Sequence, residues 1–146
     1  MLDKIISALK VKAAGTPAPV SPEVKRLAAA ALMVEAARRD NDFDDKERSA
    51  ITKIVGEQFN LNAEQSKTLV DLAEERSRLP YGESIFTRTI AENFSDAERV
   101  DVVKMLWKVA MADGQLQRVE VAMIERLATE IGVSAKASAD ARNAAG

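Results

Sequence analysis

The chain has 146 residues, 47% hydrophobic and 30% charged, with 21 basic and 23 acidic side chains and neither Cys nor His. That length suits one domain burying ~68–70% of its unfolded-chain surface. The two absences exclude disulfides, thiolate nucleophiles, zinc–thiolate sites, imidazole metal ligands and Ser-His-Asp triads, and a net charge of −2 argues against a dedicated nucleic-acid binder.

Helix signals dominate from the N-terminus onward. Residues 2–12 place Leu2, Ile5, Ile6 and Leu9 on one face, with Lys4, Lys10 and Lys12 elsewhere, and predict a short amphipathic helix. Residues 13–19 (AAGTPAP) read as a linker, so 1–20 is set apart from the main domain. IISAL, bracketed by Asp3, Lys4 and Lys10, is too short for the ~7–15-residue core of a signal peptide, and no run approaches the ~20 apolar residues of a membrane span. The expected location is cytoplasmic.

Ser21-Pro22 then gives a helix start, Ser as N-cap and Pro at the first helical position, for a helix reaching about Arg39. Asp44 and Glu47 have capping-box spacing before Ile51, Ile54, Val55 and Phe59, and Asn62 with Gln65 repeats that form before Leu69, Val70, Leu72 and Ala73. Pro80-Tyr81-Gly82 turns the chain into a shorter helix with Ile85, Phe86 and Ile90. Ser95 and Glu98 open the next, with Val100, Val103, Leu106, Trp107 and Ala110. A last helix, about 118–131, ends at Gly132. Trp107 and Met111 are expected in the core, and Arg99 at the surface or paired with Asp96. The stretch 135–146 lacks apolar periodicity and is expected to be a disordered tail. The reading is all-α: one helical-bundle domain of six to seven helices over 21–134.

An internal similarity at an offset of 73 aligns two helix–loop–helix units. Leu32 falls on Met105, Ala37 on Ala110, Asp40 on Asp113, Asn41 on Gly114, Phe43 on Leu116, Glu47 on Glu120, Ile51 on Ile124 and Ile54 on Leu127. Asn and Gly are the residue types that most readily adopt the left-handed conformation at a helix end.

The first loop, Asp40 to Glu47, holds five carboxylates and one amine. Its D-x-D-x-D opening resembles a calcium-binding EF-hand, but position six is Asp45 instead of Gly and position twelve is Ile51 instead of Glu. Helix capping alone accounts for Asp44 and Glu47. Asp40 and Asp113 are different. Each is expected at a helix C-terminus, where the dipole disfavours a carboxylate by ~0.3–1 kcal/mol and a nearby cation reverses that sign; an Asx turn is the alternative. Oxygen ligands alone fit a hard ion, Ca²⁺ or Mg²⁺. The second loop is poorer, with Gln115 and Gln117 opposite Asp42 and Asp44 and Arg118 opposite Asp45.

Ala110, Ala112, Asp113, Gly114 and Glu120, within LWKVAMADGQLQRVEVAMIERLATEIGV (106–133), form a helix ending A-x-A-D-G followed by Glu seven residues after the Asp. In this the chain resembles the TerB-like family of tellurite-resistance proteins, closest to a small, Cys-free bacterial subgroup, over roughly 21–134. The resemblance implies an all-α fold from a duplicated helical unit, and an acidic site for divalent cations in proteins linked to tellurite and other chemical stress. The expected ligands are Asp40, Asp42, Asp44, Glu47, Asp113 and Glu120. Tellurite reduction finds no thiol here, and no nucleophile or phosphate loop accompanies the carboxylates, so no enzyme is expected. The competing reading is a metal-free adaptor for a protein partner, docking through residues 2–12, which also suit peripheral membrane contact or folding back onto their own domain.

Overall fold

The computed structural model describes residues 21–37, 45–78, 82–112 and 118–145. Ser21 caps the first helix, α1 (Pro22–Ala37): its Oγ accepts from Val24 N–H at 3.3 Å and its carbonyl from Lys25 N–H at 3.0 Å. Every residue from Leu27 to Val34 is 0–1% exposed, so α1 is apolar on all sides and occupies the centre of the fold. Alanines 28–31 present little bulk, and this lets five other helices approach it.

Those five are α2 (Asp45–Phe59), α3 (Ala63–Ser77), α4 (Gly82–Asn93), α5 (Asp96–Met111) and α6 (Arg118–Glu130). Asn60 takes φ +55° and ends α2, returning Leu61 N–H to the Gly56 carbonyl at 2.9 Å. The expected capping boxes are present at α3 and α5. Gln65 N–H donates to Asn62 Oδ1 at 2.8 Å, and Glu98 N–H to Ser95 Oγ at 3.2 Å, each with the reciprocal bond from the cap N–H. Gly132, at φ +89°, closes α6 with Val133 N–H on the Ala128 carbonyl at 2.8 Å.

The inward face of α3 is Ser66, Val70, Ala73 and Ser77, while Leu69 and Leu72 are only partly buried. One expectation needs correcting: residues 135–145 are not an irregular tail. They form α7 (Ala135–Ala145), packed on α5 and α6. Its inward positions are Ser138 and Ala141, too small to show as hydrophobic periodicity, and alanine's helix propensity sustains the rest. The bulk comes from α5: Trp107, 1% exposed, donates Nε1–H to Ser138 Oγ at 3.3 Å and lies under the Arg142 guanidinium at 5.1 Å.

Arg99 is likewise drawn in, pairing with Asp96 and reaching the Ile131 carbonyl at 3.5 Å. The predicted helix at 2–12 lies outside the described residues. Seven helices and no strand occur among those described, and none is long and apolar enough to cross a membrane.

A cross-link joins α1 to α5, because Lys25 Nζ donates to Glu98 Oε1 at 3.2 Å. The same oxygen accepts the Ser95 N–H at 2.8 Å. That backbone bond, aided by Lys25 and opposed by partial burial, holds the Glu98 carboxyl below its ordinary value of 4.5. A lowered folded-state value contributes stability that is complete above the unfolded value and lost as pH falls through the folded one. Thermal melts at falling pH should therefore show a shallower acid limb for Glu98→Gln than for the wild type; parallel limbs would remove Glu98 from the acid response.

Ser138→Ala leaves the Trp107 N–H buried without its partner and should cost about 1–3 kcal/mol, read by denaturant unfolding. Removing 135–146 should lower the melting temperature and move the native Trp107 emission to longer wavelength. Unchanged emission would mean that α7 does not cover the indole.

Candidate functional site

The helices α1 and α5 lie side by side with their starts together, as the Lys25–Glu98 pair requires. Their other ends share the wall of a cavity of about 10 Å³, room for about one water-sized sphere. Ala36 and Ala37 of α1 and Leu106, Val109 and Ala110 of α5 line it. Small side chains at both helix ends leave this space.

Two glutamates line the same cavity. Glu47 stands in the first turn of α2 and Glu120 in the first turn of α6, each the third residue of its helix. Glu120 is 8% exposed, whereas Glu47 is half-buried. An acidic residue in a first turn faces the positive end of the helix dipole, a favourable placement worth ~0.3–1 kcal/mol. These glutamates occupy the same position in the two similar sequence units and are brought together at one place.

The other four expected ligands, Asp40, Asp42, Asp44 and Asp113, lie outside the described residues. Among the described residues no group of three or more carboxylates gathers to hold an ion. The chain nevertheless enters and leaves both acidic segments at this cavity. Residue 38 follows Ala37 in its wall, and Asp45 comes two positions before Glu47; Ala112 comes two after Ala110, and Arg118 two before Glu120. Trp107 and Met111 do not line it; Trp107 serves the α5–α7 contact instead.

The small residues of the cavity wall were missed as site residues in the sequence. The available signal was the recurrence of Ala at equivalent places, Ala37 and Ala110, each three residues before an Asp. The chemistry so assembled is that of hard oxygen donors beside a confined space, which suits cations or protons.

No curated protein and no solved structure matches the chain. A family model, that of the tellurite resistance protein TerB, matches residues 26–143. The matched span begins in the first turns of α1, extends through both glutamates and includes most of α7, beyond the boundary at 134 expected from the sequence. On this match, which covers most of its length, the chain belongs to the TerB family of tellurite resistance proteins.

Proposed function

We propose that this TerB-family chain is a non-catalytic stress-response module that binds one hard divalent cation, Ca²⁺ or Mg²⁺, through its two acidic helix–loop–helix segments. The observation that carries this reading is the meeting of Glu47 and Glu120 at one cavity. Further pairs at the same offset of 73 support a duplicated unit folded face to face: Ala37 and Ala110 share the cavity wall, as do Ala36 and Val109, and Lys25 pairs with Glu98 at the opposite end. Each unit would then contribute one glutamate to a shared centre, and Asp40, Asp42, Asp44 and Asp113 would complete an oxygen shell.

Electrostatics favours a cation there. The C-termini of α1 and α5 bring two negative dipole ends to this end of the fold, and the N-termini of α2 and α6 bring two positive ones that offset them, so the acidic side chains decide the sign. The segment 40–47 adds five carboxylates against one lysine, and 113–120 adds two against one arginine. An ion drawn to this concentration of negative charge would be held mainly by the first segment, with Glu120 and Asp113 closing its far side. Ca²⁺ accepts six to eight oxygens with loose geometry, and Mg²⁺ would retain more of its water.

At ~100-fold excess over its Kd, a single bound ion stabilises the folded state by about 2.7 kcal/mol. Titration with Ca²⁺ or Mg²⁺ should raise the melting temperature by several degrees and perturb Trp107 fluorescence. Glu47→Gln with Glu120→Gln, and separately Asp40→Asn with Asp113→Asn, should remove the response while the chain remains folded. No response at millimolar ion would sink the metal reading and leave a metal-free adaptor.

A further inference from the structure

The leucines turned aside from the inner face of α3 leave a feature of their own. Leu69 and Leu72, with Leu61 ahead of the helix, are partly buried, and together with Leu27 of α1 they line an open groove of about 370 Å³. Glu23 and Glu64 stand exposed at its edge, against the half-buried Arg26. The groove lies beside the first turns of α1, where the described chain begins at Ser21.

The preceding twenty residues contain a segment suited to it. Leu2, Ile5, Ile6 and Leu9 fall on one helical face, and an eleven-residue helix over 2–12 would be roughly 16 Å long. Its side chains carry three lysines and one aspartate, opposite in sign to Glu23 and Glu64. The eight residues 13–20 can span up to roughly 26–29 Å, enough for a return to a groove next to Ser21. So short a tether also gives the segment a local concentration of roughly millimolar, so modest contacts suffice to hold it.

We propose that residues 2–12 form an amphipathic helix that folds back into this groove, covering Leu61, Leu69 and Leu72 with its apolar face. The first helix is then a part of its own domain, and its apolar face is withheld from any membrane or protein partner while it is seated.

The full-length chain permits a direct test, because it has no cysteine of its own. Nitroxide labels on Ser7→Cys, away from the apolar face, and Thr68→Cys, on the groove edge, should give one narrow distance distribution. Dilution with unlabelled protein should leave that distribution intact. Ile6→Asp, which alters no residue of the described fold, should broaden it, as should Leu69→Asp, and both should speed tryptic cleavage after Lys4 and Lys10 by about tenfold. A broad distribution that Ile6→Asp does not change would overturn the proposal. So would a narrow one that disappears on dilution, since the occupant of the groove would then belong to a second copy.

Discussion

The rest of the fold depends on how closely helices can approach α1. Packed helix axes ordinarily sit about 8–10 Å apart, at a spacing set by the side chains between them. The run Ala28–Ala31, 0–1% exposed, puts little side-chain bulk into that spacing, and Leu27, Leu32, Met33 and Val34 fill what remains. A larger residue in the run would have no solvent face to turn toward. The central helix thus gains stability from burial on every side, and the amphipathic helices around it each contribute one stripe. This also explains why so few aromatics suffice: with Phe86 and Trp107 as the bulkiest fully buried side chains, the core is filled mainly by close approach.

The same geometry sets up the candidate centre. Because α1 and α5 lie alongside each other, their finishing ends arrive together, and the first turns of α2 and α6 meet them there. Glutamates three residues into each of those helices are brought to a common point by the path of the backbone. The site needs no long-range search by flexible side chains, since rigid helix starts carry both carboxylates. Side chains on such starts are held more firmly than side chains on loops.

What was legible in the sequence follows from how local each signal is. Caps at Ser21, Asn62, Ser95 and Gly132 act within a few residues, so the helix limits they set could be read directly. The convergence of Glu47 and Glu120 was legible only as a recurring interval; the interval relates two positions but does not by itself bring them into contact. The helix α7 was missed because its partner is remote: Ser138 and Ala141 look inert until Trp107, 31 residues before Ser138, supplies the volume. Arg99, read as a surface residue or a partner of Asp96, pairs with Asp96 and also reaches the Ile131 carbonyl, a contact that depends on tertiary packing alone.

One atom has a consequence out of proportion to its size. Glu98 Oε1 accepts both the N–H that begins α5 and the ammonium group of Lys25 on α1. Fraying of the first turn of α5 and separation of the two central helices therefore weaken the same oxygen's bonds. Loosening of either one removes a contact that also supports the other, so the cap of α5 and the packing of α1 on α5 are coupled.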